Sequence, residues 1–298
     1  MRLEAFGKII LLGEHAVLDG APALAVPLPG AMRGRISAVR TDGIHLNPPI
    51  GDARVVAALE LLGRLIPDSG FTLDWEASVP TGAGLGASAS LSFLLAQAAW
   101  RVAHPEAMPD PAHLAAVTHQ LEHCFHGTPS GIDDAVVCLQ SAVLLQRPEV
   151  SVRWPFPHAV HAAHLWLVSL PVELPLVVGY SGSSASTQEM ITRVKACAGP
   201  DFADTSGRLF DEAVRQLACR DLDALGQVLC HAHEHLAAAG ASTPALDRMV
   251  QLALAAGASG AKLTGSGGGG CAIALCHEDE KATVAQAWRH AGFQVLAT

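Results

Sequence analysis

Lysine is scarce in this chain of 298 residues: Lys8, Lys195, Lys262 and Lys281 are the only four. Charged residues of either sign are few, at 16%, where an average globular protein carries about a quarter. With 19 Lys+Arg against 28 Asp+Glu the formal net charge is −9, which excludes a broad basic face that would neutralise many nucleic-acid phosphates. A small anionic ligand stays open, because one local site can be positive on an acidic protein. The seven cysteines form no C-x-x-C pair, are odd in number and mostly lie among apolar residues, which argues against a disulfide framework and for a reducing compartment. The apolar stretch from Ile9 to Gly13, closed by Glu14 and His15, is too short for a secretory signal. A cytoplasmic location is therefore expected. The longest uncharged run, Ala77 to Trp100, begins with Pro80-Thr81-Gly82-Ala83-Gly84-Leu85-Gly86, so it reads as a loop feeding a helix and no membrane span is expected. What the chain does have is apolar residues, half of the total, enough to exclude overall disorder and to fill one large core or two ordinary ones.

Apolar patterning predicts a buried strand at Gly7–Gly13 and a short edge strand at Ala23–Val26, confined by Pro22 and Pro27. Further short strands are expected within 33–46. A helix is predicted over Val55–Leu65, a strand over Phe71–Val79, and helices over Ala87–Val102 and Pro111–Cys124. Ala135–Leu145 and Leu165–Val178 read as strands. Helices follow at Ser186–Ala198, Thr205–Cys219, Leu222–Ala239 and Pro244–Ala256, then a strand at Ala272–Cys276 and a helix at Glu278–Ala291. This is an α+β pattern, with a division into residues 1–160 and 161–298 at a joint near Pro155–His164.

Two glycine-rich stretches stand out, Thr81-Gly82-Ala83-Gly84-Leu85-Gly86-Ala87-Ser88 and Thr264-Gly265-Ser266-Gly267-Gly268-Gly269-Gly270. Glycine at this density lets backbone N–H groups approach an anion, and a following helix adds the positive end of its dipole. Both satisfy G-x-G-x-x-G/A, yet neither has the context of a dinucleotide site. After Ala87 no acidic residue occurs before Glu106, and the second stretch runs into the strand-like Cys271-Ala272-Ile273-Ala274-Leu275. A Walker lysine is also missing, since Gly7-Lys8 is followed by Ile9. Two such loops, with a serine-capped helix expected after the first, favour a phosphate cradle. The cluster His231-Ala232-His233-Glu234-His235 places two histidines at i and i+4, but without a third ligand it reads as a solvated helix face.

Gly7-Lys8-Ile9-Ile10-Leu11-Leu12-Gly13-Glu14-His15-Ala16-Val17-Leu18, then Pro80 to Ser90, then Lys262 to Cys271 resemble the three ordered motifs of the GHMP small-molecule kinases. The Glu14-His15-Ala16-Val17 form and the segment His126-Gly127-Thr128-Pro129-Ser130-Gly131-Ile132-Asp133 resemble most closely the branch that phosphorylates mevalonate. The resemblance implies a ribosomal-protein-S5-like N-terminal domain, a ferredoxin-like C-terminal domain and ATP-dependent phosphorylation of a hydroxyl, with a homodimer as the family's suggestion. It implies ATP phosphates on Pro80, Gly82, Ala83, Gly84, Leu85, Gly86, Ala87 and Ser88, and Mg²⁺ on Ser88 and Glu122. Asp133 becomes the implied general base with Lys8 its partner, and Glu14, His15, Thr187 and Gly267 the implied acceptor contacts. Three positions depart from the family pattern: Ala87 and Ser181 stand where Ser and Thr are usual, and Asp134 where Asn is usual. Either adjacent carboxylate, Asp133 or Asp134, could take a proton; motif register favours Asp133. Another small alcohol (phosphomevalonate, a sugar or homoserine) or a silent ligand sensor on the same fold are the competing readings.

Overall fold

The computed structural model describes residues 2–126, 129, 131–146, 158–162 and 165–298. In chain order the elements are β1 (Arg2–Leu12), a 3₁₀ turn (Ala16–Asp19), β2 (Ala23–Val39), β3 (Ile44–Asn47), α1 (Ala53–Leu65), β4 (Phe71–Ala77), α2 (Ala87–Ala103), α3 (Pro111–His126), α4 (Ile132–Leu139), β5 (Ala142–Leu145), β6 (His158–Ala162), β7 (Leu165–Val168) and β8 (Leu176–Tyr180). They continue with α5 (Thr187–Cys197), α6 (Phe202–Cys219), α7 (Leu222–Ala238), α8 (Pro244–Ala255), β9 (Gly260–Thr264), β10 (Cys271–Leu275), α9 (Lys281–His290) and β11 (Gln294–Ala297). Two compact units result, each assembled from several chain segments: residues 1–8, 27–81 and 86–141 in the first, 9–26, 82–85 and 142–298 in the second.

In the first unit, Met32 to Val39 of β2 pair antiparallel with β4, and β3 pairs parallel with β4. Phe71 and Leu73 point from β4 into a core shared with Leu62 of α1, Leu94 and Leu95 of α2, and Leu121 of α3. Each such side chain contributes about 1.5–3 kcal/mol by leaving water. Helix α2 is buried nearly all round from Ala89 to Ala99, which explains its lack of a polar face in sequence. Asp52 caps α1 by accepting from the Arg54 N–H at 2.8 Å.

In the second unit, Ala23 to Ala25 pair with β5, which pairs with β7, which pairs with β6, all antiparallel. A separate antiparallel sheet has the order β11-β8-β10-β9. Its inner strand β10 is buried along its whole length, so it reads as a continuous apolar run and not as an alternation. Trp288 of α9 fills the core beside it and donates its indole N–H to the Met249 carbonyl at 2.8 Å. Thr243 caps α8, with Pro244 at the first helical position. Among the described residues no helix is long and apolar enough to cross a membrane.

Three expectations need correction. The predicted strand at Ala135–Leu145 is instead the helix α4 followed by β5, because a short apolar run cannot reveal its own period. The left-handed Gly131 (φ 83°) and two aspartates in the first turn start that helix. The expected edge strand Ala23–Val26 continues through Pro27 and Pro29 to Val39; the prolines fall between the stretches paired to β5 and β4, and β1 also pairs with this strand. The predicted strand at Leu165–Val178 is two strands, β7 and β8, with residues 169–175 between them outside any strand, and β9 and β11 were not expected at all. Of the proposed joint at Pro155–His164, residues 155–157 and 163–164 lie outside the described residues, as do Gly127, Thr128 and Ser130 of the segment from His126 to Asp133.

Candidate active site

Lys8 sits inside an apolar strand, where an unpaired ammonium would be costly. It is only 4% exposed, and its Nζ lies 2.8 Å from Asp133 Oδ1. Asp133 is in the first turn of α4 and keeps 30% of its side chain exposed, so the carboxylate is held by lysine on one side and open on the other. Gly86 starts α2 with φ 75°, and a Cβ there would stand 3.3 Å from Lys8 Cβ. A side chain at 86 would therefore meet both a disfavoured backbone conformation and the lysine stem.

The expected serine cap on α2 is absent: the N-cap is Gly86, with no side-chain hydrogen bond to the first turn. Ser88 turns elsewhere. Its Oγ donates to Glu122 Oε2 at 3.0 Å and lies 3.1 Å from His126 Nε2. One turn on, Ser92 Oγ donates to Glu122 Oε1 at 3.1 Å. Glu122 is 1% exposed. Burial pushes its carboxyl up to about 7, helped by the charge of Asp133 and opposed by the Ser88 and Ser92 hydrogen bonds. Asp134, by contrast, is turned away from Lys8: its Oδ2 pairs with His119 Nδ1 at 2.7 Å, while Oδ1 is buried without a hydrogen-bond partner. Burial raises its carboxyl, against the pull of His119. Asp133 is thus the carboxylate of the adjacent pair that meets Lys8.

Ser92 and His119 lie outside the motifs, and His126, though it opens the segment that ends at Asp133, was given no role there. Ser88 and Ser92, and likewise Glu122 and His126, are spaced i and i+4 on α2 and α3, which places each pair on one helix face. That spacing was the available clue.

The second unit assembles the other motifs. Glu14 and Lys262 form a buried ion pair, and Lys262 Nζ also donates to the Leu263 carbonyl at 2.7 Å. Burial lowers the lysine's affinity for its proton, and Glu14 opposes this. Thr264 Oγ1 accepts from the Ile10 N–H at 3.1 Å and donates to the Ile10 carbonyl at 2.9 Å. His15, left-handed at φ 59°, donates through Nε2 to the Ser266 carbonyl at 2.8 Å. Gly84 and Gly265 are in close approach, for a Cβ on Gly265 would stand 3.1 Å from Gly84 Cα. The second glycine loop spends amides internally, Gly268 N–H to the Ala241 carbonyl at 2.8 Å and Gly270 N–H to the Ser183 carbonyl at 2.6 Å. It is thus less free to cradle phosphate than its composition suggested. A Cβ at Gly267 would collide with the Ala241 carbonyl. Thr187 is exposed at the start of α5, whose cap is Ser186.

The histidine cluster on α7 is not a uniformly solvated face. His231 is exposed, but His233 is buried; its Nδ1 accepts from the Leu263 N–H at 3.3 Å and its Nε2–H donates to Asp247 Oδ1 at 3.1 Å. Both nitrogens are committed in the neutral ring, and burial lowers the ring's basicity, with Asp247 opposing. Below its ordinary value of 6.5 the unfolded chain binds a proton that the folded chain resists, so stability is lost as pH falls through that value. A melting temperature that falls between pH 7 and pH 5, and falls less steeply in His233→Leu, is the expected result. That variant should also lose about 1–3 kcal/mol at pH 7, because the Leu263 N–H is left without an acceptor. Equal pH slopes in the two proteins would remove His233 from this role.

Comparison with known proteins places these features in a family. The description "GHMP kinases N terminal domain" matches residues 53–142, and "GHMP kinases C terminal" matches residues 211–294. The mevalonate kinase of Thermococcus sibiricus is 31% identical, the alignment covering 99% of this chain and 94% of that protein. The chain belongs to the GHMP kinase family. Another GHMP kinase relative, the mevalonate kinase of Pyrococcus abyssi, is 32% identical over the same shares. Among solved structures, Methanococcus jannaschii mevalonate kinase superposes with a TM-score of 0.82 at 21% identity, covering 99% of this chain and 96% of its own. L. major mevalonate kinase in complex with R-mevalonate gives 0.78 at 24%, with 97% and 91% covered. Streptococcus pneumoniae phosphomevalonate kinase gives 0.75 at 21%, with 99% and 98% covered. At such identities the structural likeness speaks for the fold, and the family assignment rests on the sequence relatives.

Proposed function

We propose that the chain is an ATP-dependent kinase that phosphorylates the 5-hydroxyl of (R)-mevalonate, giving ADP and (R)-5-phosphomevalonate. The observation that carries the proposal is the Lys8–Asp133 pair at 2.8 Å, in the unit that also holds the start of α2 with Ser88 and Glu122. Mevalonate as acceptor rests on curated mevalonate kinases about 30% identical over nearly the whole chain. Residues 1–160 would serve as the ATP-binding and catalytic domain, and residues 161–298 as the C-terminal domain.

Transfer of a phosphoryl group to an alcohol demands positioning, charge neutralisation and removal of one proton. Pro80 and Gly82 to Ser88 receive the ATP phosphates. At α2 the first-turn N–H groups have no side-chain acceptor, and the positive end of the helix dipole adds to them. Asp133 accepts the hydroxyl proton as the oxygen bonds to the γ-phosphorus and the bond to ADP breaks. Lys8 pairs with that carboxylate and offsets charge on the nascent alkoxide. His15, Thr187 and Gly267 are the proposed acceptor contacts.

Mg²⁺ is the implied metal, and the donors suit it: a serine hydroxyl and a carboxylate, both hard oxygens, lie 3.0 Å apart. A buried carboxyl pushed up to about 7 marks a place where positive charge is wanted, and a cation there would return Glu122 to its ionised form. Ser88 and Glu122 would hold the ion, which when bound neutralises phosphate charge. Ser92 and His126 orient the two ligands.

The test is ADP release from ATP with mevalonate, phosphomevalonate and a panel of sugars, with and without Mg²⁺. Stimulation by mevalonate above all others, dependent on Mg²⁺, is expected. Stimulation by another acceptor alone would reassign the substrate, and ATP binding without stimulation by any acceptor would favour a sensor.

A further inference from the structure

Glu14 resembles an acceptor contact by motif, yet its surroundings give it different work. Its side chain is 2% exposed and its carboxylate is engaged by Lys262, which is 0% exposed. Neither group can reach a dissolved ligand. We propose that Glu14 and Lys262 are a positioning pair that holds the Gly13-Glu14-His15 turn against β9 and so fixes His15 for the acceptor.

Three further contacts run between the same two segments. Thr264 bonds both the N–H and the carbonyl of Ile10, and His15 Nε2 donates to Ser266. The turn itself is not self-supporting: Gly13 (φ 95°) and His15 (φ 59°) are both left-handed, the second with a side chain, and such a conformation persists only where its surroundings hold it. A buried ion pair adds little net stability, since desolvation offsets its attraction, but it is exacting in geometry, and removing one partner strands the other charge. Its effect is therefore to fix position. The Nε2 bond to Ser266 sets the Nε2-protonated tautomer and leaves Nδ1 as the ring nitrogen able to accept from a substrate hydroxyl. Lys262 acts on the acceptor through Glu14 and His15, touching neither substrate nor ATP.

This inference rests on the proposed kinase reading for its kinetic readout, and a ring-nitrogen readout separates the two. Lys262→Met, Glu14→Gln and the double variant are compared by kcat, by KM for mevalonate and by the ¹⁵N shifts of His15. Lys262→Met should raise the mevalonate KM by about 10-fold or more with kcat changed less than about 3-fold, and adding Glu14→Gln should bring KM back to within about 3-fold of wild type, the scale of coupling between contacting residues. The Nε2–H tautomer of His15 should be lost in the single lysine variant and regained in the double. A double variant whose KM rise is the product of the single effects would overturn the pair and return Glu14 to the acceptor. Should Lys262→Met not fold, the proposal requires that the double variant does, with a near wild-type KM; an unfolded double variant overturns it. A wild-type protein inactive on mevalonate would refute the mevalonate reading alone, leaving the tautomer result to decide the pair.

Discussion

Replacing Asp133 with asparagine lowers kcat by about 10²–10⁴-fold, the range for removal of a positioned proton acceptor, while the KM for ATP stays close to wild type. The asymmetry follows from geometry. Asp133 meets Lys8 through Oδ1 and keeps part of its side chain open, so it is placed to take a proton from a group arriving on that open side. It is not part of the loop from Gly82 to Ser88 proposed to carry the nucleotide. An asparagine carbonyl can still accept from Lys8 Nζ, so the buried lysine keeps a partner and the fold should survive. Asp134→Asn is the internal control. Its carboxylate faces His119, 2.7 Å away, and its loss should change kcat far less. The measurement is steady-state ADP release at saturating mevalonate; an unchanged kcat in Asp133→Asn, or an equal fall in both variants, would remove Asp133 as the sole base.

Lys8→Met carries the second large effect, a fall in kcat of about 10²–10³-fold, comparable to losing one preorganised group that stabilises developing charge. Methionine keeps the apolar stem of lysine out to Cε, so packing against Gly86 is preserved while the charge is removed. Arginine should restore little. Its planar head is bulkier than an ammonium, and at 4% exposure the site beside Gly86 has small room for it. The dependence on Mg²⁺ should be unaltered, since the Lys8 ammonium pairs with Asp133 while Ser88 bonds to Glu122. A kcat in Lys8→Met within threefold of wild type would contradict the role.

Much of this was legible in sequence because each motif demands a residue for a physical reason. A lysine inside an apolar strand calls for a charged partner, and the partner stands at Asp133. A glycine before a helix needs a left-handed φ and a close neighbour, and Gly86 has both. What stayed hidden depended on pairing across the chain. The period of Ala135–Leu145 could not reveal α4, so nothing in it signalled that the two aspartates lie in the first turn of a helix. Because β9 was not foreseen, nothing signalled that Lys262 would be buried against Glu14, 248 positions away. The second glycine loop looked like a phosphate cradle on composition alone, but two of its amides bond within the protein. Composition sets what a loop can do, and its partners decide what it does. The shortage of lysine fits the same picture. Three of the four are held by carboxylates, Lys8 by Asp133, Lys262 by Glu14 and Lys281 by Glu278, so the proposed reading assigns triphosphate charge chiefly to backbone N–H groups and a cation.

The most direct test of the whole account is phosphorus NMR of the purified protein with ATP, (R)-mevalonate and Mg²⁺. The γ-phosphorus signal of ATP should disappear in step with the appearance of ADP and of one phosphomonoester, on the oxygen at carbon 5 of mevalonate, and both changes should be lost in Asp133→Asn. ATP consumed with inorganic phosphate as the only product, or a phosphomonoester formed from another alcohol while mevalonate is untouched, would contradict it.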